Sequence, residues 1–269
     1  MEPQIEYNEQ NEQEEFTPPK FEELVERFRK KVAGIPEECR AAIFYWRLAV
    51  QVQEARIALE NQLRQTTKVA GKVFWAEEIP PEIKASMELT TSGVGKTRLA
   101  ELRKLEDEFV RNTEREFKKT RWYNEVAIPA AGGQGLGPMI AGALLWSIGS
   151  AGRFASFGKI VRYAGLDVTP GGAAPKRRKG QRVTWNPYLR TTLFKLTEVW
   201  NKMKESQWRA MWDAQKAIYI QTRPDLLEVK NKSGKDVSKG KIHNMARRKV
   251  QREFLRNLYH LWLDYESAG

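Results

Sequence analysis

"TTSGVGKTRLAE", residues 90–101, admits two different folds. Read as a phosphate-binding loop, it makes the chain an α/β nucleotide-binding protein. Read as a turn between helices, it leaves an all-helical one. A phosphate loop of the form G-x-x-x-x-G-K-[ST] needs a glycine where this chain has Thr90, and it must leave a buried strand that fixes the phosphate cradle. The preceding "PEIKASMEL" (81–89) is interrupted by Glu82, Lys84 and Glu88, and no later aliphatic run ends in an acidic residue suited to hold Mg²⁺. A glycine turn that ends one helix, with Thr97 or a neighbour capping the next, accounts for the same residues. The reading is therefore all-α, and NTPase chemistry is set aside.

Helical patterns flank this turn. On its N-terminal side Leu48, Val52, Ala55 and Leu59 recur at four-three spacing between charged residues, an a/d seam. On its C-terminal side Leu102, Leu105, Phe109 and Phe117 run through a helix expected over Thr97–Trp122, roughly 39 Å long. The expectation is a long, coiled-coil-like helical arm over residues 20–125 that forms a homodimer. Within it "FEELVERFRKKV" (21–32) reads as a short helix stopped by Gly34 and Pro36. Residues 1–19, rich in Glu, Gln and Asn and ending in "TPP", read as a disordered acidic tail.

Composition narrows the function classes. One cysteine, Cys39, and two histidines, His243 and His260, exclude an internal disulfide and any Cys- or His-based metal cluster. No cofactor or metal is expected. No apolar run approaches the ~20 residues of a membrane span, and the acidic start is unlike a signal peptide. The expected location is the cytoplasm, in association with the nucleoid. The formal net charge of +12 is unevenly spread. From Val126 onward Lys and Arg number 25 against 10 Asp and Glu, whereas the first 125 residues carry 21 against 24. Such asymmetry points to a polyanion-binding C-terminal region, residues 126–269.

The motifs of that region agree. "VAIPAAGGQGLGPMIAGALLWSIG" (126–149) sets a glycine turn (Gly133, Gly135, Gly137) before an apolar helix with Pro138 in its first turn and Ala141, Leu144, Leu145 and Ile148 on its core face. That is the pattern of a helix-hairpin-helix element, whose turn N–H groups meet phosphate oxygens. "SFGKIVRYAGL" (156–166) reads as a short helix ending at Gly165, followed by a Gly/Pro loop with Lys176, Arg177, Arg178, Lys179 and Arg182. "NPYLR" (186–190) then opens a helix, with Asn186 as cap, Pro187 at its first position and Arg190 one turn in. Trp185, Trp200, Trp208 and Trp212 read as packing residues, with stacking on unpaired bases as the rarer use. A Lys-rich stretch (223–245) reads as a flexible linker. After it come Arg247, Arg248, Lys249 and Arg252, opposite a Val250, Phe254, Leu258 and Leu261 stripe.

In this order and spacing, "GLGPMIAGALLWSIG", "GRFASFGKIVRYAGL", "KRRKGQR" and "NPYLR" resemble the C-terminal domain of Piv-type DNA invertases and the bridge-RNA-guided insertion-sequence transposases. The resemblance covers about residues 126–263. It implies a DNA-engaging helical domain, accompanied in the family by an N-terminal RuvC-like domain with Mg²⁺-binding acidic residues and by a serine nucleophile in the basic loop. This chain departs on both counts. Residues 1–125 show no buried strand set, and no serine lies between Phe157 and Glu205, Thr169 being the nearest loop hydroxyl. The expectation is a transposase-related protein that binds duplex DNA, mainly through phosphates, without cutting it. An active recombinase using another nucleophile or a partner subunit, and an RNA-binding module, are the alternatives. The expected contacts are Gly133, Gly135, Gly137, Lys176, Arg177, Arg178, Lys179, Arg182, Arg190, Arg247, Arg248, Lys249 and Arg252.

Overall fold

A computed structural model describes residues 26, 29, 31–66, 68–69, 72–73, 94–168, 174–175, 180, 182–227, 229–230, 236 and 238–268. The all-α class holds. Among the described residues the helices are α1 (Arg40–Thr66), α2 (Val94–Lys118), α3 (Ile128–Ala130), α4 (Pro138–Ile148), α5 (Phe157–Tyr163), α6 (Pro187–Lys202), α7 (Gln207–Thr222) and α8 (Ser238–Ala268), preceded by helical residues at 26, 29 and 31–33; the rest of the helix expected over 21–32 lies outside the described residues. A six-residue π-helical turn, Trp122–Ala127, leads into α3. The described strand pairing is a two-residue antiparallel contact, Lys68 opposite Val73 and Val69 opposite Lys72, just beyond α1. No helix among the described residues is long and apolar enough to cross a membrane. The tail at 1–19 lies outside the described residues.

Helix α4 is the centre because nearly every face of it is apolar: Ala141, Leu144, Leu145 and Ile148 are all fully buried, as their spacing predicts. Its Gly142 makes room for a neighbour, since a Cβ there would lie 2.4 Å from the Trp46 ring. Helix α1 therefore crosses α4 at this point, and the Trp46 indole donates to the Met139 carbonyl at 3.0 Å. Helix α8 covers another side with Val250, Phe254, Leu258 and Trp262, all with no exposed surface; Leu261, expected on this stripe, is only partly buried. Trp262 meets Trp122 edge-on, with ring centroids 5.0 Å apart. Glu38 joins three segments at the root of the arm. Its carboxylate accepts from the backbone N–H of Arg121 (3.1 Å) and Trp122 (2.7 Å) and from the Tyr265 hydroxyl (2.9 Å).

Helices α1 and α2 form an antiparallel hairpin, but the expected seam is displaced. The contacts across it run through Gln53 and Arg56 to Glu106 (2.9 and 2.6 Å) and through Arg103 to Glu60 (3.1 Å). Leu48, Val52 and Leu59 are half-buried and Ala55 is exposed. The buried apolar residues of α1 are instead Ala42, Ile43, Trp46 and Ala49. The cause is the third body, α4: Trp46 turns α1 toward the core, so the apolar residues follow that contact and leave a charged ladder between the arms. Helix α2 also begins earlier than Thr97, taking in Gly95 and Lys96, and stops at Lys118 rather than Trp122.

The linker expectation is corrected as well. Pro224–Leu226 forms a 3₁₀ turn, the backbones of Lys230 and Asp236 pair in an isolated antiparallel bridge, and α8 begins at Ser238. The Asp236 carboxylate accepts from the Ser238 N–H at 2.8 Å, and the Ser238 hydroxyl accepts from the Val229 N–H at 2.8 Å. An Asp two residues ahead of the first helical N–H groups is a start signal that the surrounding lysines obscure.

Candidate nucleic-acid interface

Two short-range devices build the base of the basic loop. Helix α5 ends where Gly165 turns to φ +66°, and the Leu166 N–H reaches back to the Val161 carbonyl at 3.0 Å. A Cβ on Gly165 would stand 2.8 Å from the Trp185 ring, so the loop's exit packs on its entrance. At the exit Asn186 caps α6, its side-chain oxygen accepting from Tyr188 N–H (3.0 Å) and Leu189 N–H (3.1 Å), with Pro187 first in the helix as expected. The Asn186 N–H also donates to the Tyr163 carbonyl (2.7 Å), and its side-chain amide to the Tyr163 hydroxyl (2.8 Å). The ends of the loop are thus pinned together.

Arginines hold the loop from two helices. Arg190 of α6 donates to the Pro175 carbonyl at 2.9 Å and lies over the Trp185 ring at 5.5 Å. Arg248 of α8 donates to the Asp167 carbonyl at 2.6 Å. Burial, followed by the charges of Arg190 and Arg252, pulls the Arg248 guanidinium below its ordinary range, with Asp167 opposing. Burial does the same to Arg190, again opposed by Asp167. Arg190 and Arg248 therefore meet at the loop base, and Arg252 follows Arg248 one turn later on the same face of α8. Each guanidinium carries five donors, and Arg190 and Arg248 each give one terminal nitrogen to a loop carbonyl. Arg182 is exposed on the loop itself. Lys176, Arg177, Arg178 and Lys179, and with them Thr169, lie outside the described residues.

The other expected contacts go elsewhere. Arg247 donates to Glu198 at 3.0 Å and stacks over Phe194 at 4.3 Å, and burial draws it below the ordinary guanidinium range. Lys249 pairs with Glu253 at 3.3 Å. The glycine turn is a packing element in large part. Gly133 (φ +74°) and Gly135 (φ +72°) need left-handed backbone, but a Cβ at Gly135 would lie 2.8 Å from the Trp200 indole nitrogen. Trp200 and Trp208, stacked 4.7 Å apart, donate to the carbonyls of Gln134 (2.8 Å) and Ala131 (2.7 Å). Only Gly133 and Gly137 of the three expected glycines face open space. Trp200 lies ten residues after Arg190 on α6, so about 15 Å of helix separates the turn from the arginine group. Trp200, Trp208 and Trp212 are core residues, as expected.

Among the described residues no group of three or more His, Cys, Asp or Glu side chains converges as a metal cluster. Residues 133–213 match the sequence model of the transposase IS116/IS110/IS902 family. The matched segment runs from the glycine turn through the basic loop and α6 into α7, and it includes Arg190 but not Arg248 or Arg252. No curated protein and no solved structure matches the chain.

Proposed function

We propose that this transposase-related chain binds duplex DNA, chiefly through phosphates, at the loop base formed by Arg190, Arg248 and Arg252 together with Arg182 and the Lys176–Lys179 run. The observation that carries the reading is that Arg190 and Arg248, from two helices, hold a loop whose ends are pinned, with Arg252 one turn beyond Arg248, inside and beside the transposase-family segment. Like charges held together in this way are stabilised by an anion, and phosphate contacts of this kind carry little base information. Sequence preference is accordingly modest. The resemblance to Piv-type and bridge-RNA-guided enzymes extends, in this proposal, to DNA engagement and not to strand transfer, because the stretch between Phe157 and Glu205 offers no serine. An association with the nucleoid follows from DNA binding.

Fluorescence anisotropy with a random 30-base-pair duplex across a salt series tests this. Sub-micromolar affinity and a log–log slope near about −5, the release expected for about six neutralised phosphates, is the expected result. A flat slope with weak binding overturns it. Nicks or covalent adducts on supercoiled plasmid with Mg²⁺ would replace the non-catalytic reading by the active one, and preference for structured RNA in competition would replace duplex DNA as the partner.

The arm supports a second part of the proposal, a homodimer that holds two DNA segments. Half-buried Leu48, Val52 and Leu59 share one face of α1 with Phe44, which is 60% exposed, apolar surface the hairpin itself leaves uncovered. Sedimentation equilibrium at micromolar concentration should give twice the 31.1 kDa of the chain. A Leu48→Glu, Val52→Glu variant should return to the single mass, and a wild type that already sediments at the single mass ends the dimer reading.

A further inference from the structure

We propose that Lys31, Arg47 and Arg153 form a second phosphate-binding subsite for duplex DNA, across the junction between the arm and the helical domain. The proposal rests on the DNA-binding reading above and extends its surface to two cations of the arm side, Lys31 and Arg47, and to Arg153 of the "GRFASFGKIVRYAGL" stretch, none of them among the expected contacts. The three residues come from separate parts of the chain: a helical turn at 31–33, α1, and the connection between α4 and α5. Aromatic rings hold them in place. The Lys31 ammonium lies 4.1 Å from the centre of the Trp146 ring and the Arg47 guanidinium 4.9 Å from the same ring. Arg153 lies 4.7 Å from Phe154 and 4.8 Å from Tyr163.

Among the described residues this group differs from other cations of the chain in making no ion pair, although Glu266 accepts from the Ala151 and Gly152 N–H groups just before Arg153. Arg56, Arg121, Arg209 and Arg247 each pair with a carboxylate. Among the described residues no carboxylate pairs with Lys31, Arg47 or Arg153; Glu54, close enough to act on Tyr188, makes no ion pair with Arg47. Burial, then the charges of Arg47 and Arg153, push the Lys31 ammonium below its usual range. Three mutually repelling cations on rigid aromatic supports are a preformed anion site, which a phosphate oxygen would relieve. The Trp146 ring carries two of the cations, so the surface presents N–H donors more than a bare stacking face. That chemistry fits backbone phosphates.

The subsite borders the arginine group already described. Trp146 lies 6.0 Å from Trp46 and Trp46 6.4 Å from Tyr188, ring centre to ring centre, and Tyr188 stands two residues before Arg190. On the other flank Tyr163, under Arg153, is bonded to Asn186, the cap of the same helix. The start of α6 thus lies between the two cation groups, and one duplex backbone passing over it meets both.

The test uses the full chain carrying Lys31→Gln, Arg47→Gln and Arg153→Gln, titrated by anisotropy with the 30-base-pair duplex across salt. The salt slope should become shallower by about 2.7, or about 0.9 for each phosphate no longer neutralised. Affinity at 0.1 M salt should fall by on the order of 10²-fold or more. A Lys31→Arg, Arg47→Lys, Arg153→Lys variant should keep the wild-type slope. A glutamine variant with unchanged slope and affinity, beside a wild type that binds, overturns the subsite alone. A wild type that fails to bind overturns the DNA reading itself. A second measurement needs no variant: acetylation of Lys31 by an amine-reactive ester, read by mass spectrometry, should slow in saturating duplex. Equal modification with and without duplex overturns the subsite, even if the glutamine variant misfolds, and protection by structured RNA alone overturns the choice of duplex DNA.

Discussion

Replacing Arg190, Arg248 and Arg252 together by glutamine should lower duplex affinity by on the order of 10²–10³ at 0.1 M salt and flatten the salt slope by about 2.7. That change corresponds to one phosphate per arginine: Arg190 and Arg248 reach the two ends of the loop, and Arg252 lies one turn beyond Arg248 on α8. Two of the three also hold the loop, through the Pro175 and Asp167 carbonyls, so part of the loss has a structural route. The two routes separate by charge. Lysines at the same three positions keep the slope, which counts released ions, but lose the planar fork that reaches both loop and phosphate. They should therefore bind more weakly at every salt concentration with a parallel line. A glutamine variant with the wild-type slope would show that these arginines only brace the loop, and the interface would have to lie elsewhere. Arg247→Gln is the internal control: paired with Glu198, it should change the slope little while costing stability.

Trp200→Ala should destabilise the chain by about 3–5 kcal/mol, read from the shift in a urea unfolding curve. The ring has no exposed surface, stacks on Trp208 at 4.7 Å and meets Phe254 edge-on at 5.3 Å. Its indole N–H also satisfies the Gln134 carbonyl inside the glycine turn. Truncation removes the packing of three helices' side chains and leaves that carbonyl without its partner. Trp200→Phe isolates the second effect and should cost about 1–3 kcal/mol, as an unmade hydrogen bond does. A loss below about 1 kcal/mol for the alanine variant would mean that α6 does not anchor the glycine turn.

The devices readable in the sequence are those that close within a few residues. Asn186 and Pro187 announce the start of α6 because a cap bonds to N–H groups two and three residues on. Gly165 ends α5 because its left-handed φ lets the next N–H close on the Val161 carbonyl, a contact made within one turn. The unbroken apolar run of α4 marks it as the central helix. The α8 stripe is legible to within a residue for the same reason, since helical period alone aligns Val250, Phe254 and Leu258.

What the tertiary structure decided is which of several equivalent faces meets which neighbour. Four-three spacing fits both Leu48–Val52–Ala55–Leu59 and the stripe through Ala42, Trp46 and Ala49. The second is buried because Gly142, nearly a hundred residues later, leaves a hole that Trp46 fills. Arg247 and Arg248 are adjacent in sequence and about 100° apart around α8. One therefore reaches Glu198 and the other the loop at Asp167. Gly135 carries the signature of an open turn, yet Trp200 stands against it. Lys31 and Arg47 carry no local pattern that relates them, since what joins them is the Trp146 ring, about a hundred residues further along the chain, and Arg153 reaches their side from yet another segment. From the sequence come the cap of α6, the end of α5, the apolar centre and the α8 stripe, because backbone geometry and helical period act over one or two turns. Only the packed structure determined the partner of each charged residue, because an arginine's position in the chain carries no information about whether a carboxylate, a carbonyl or open space faces it across the fold.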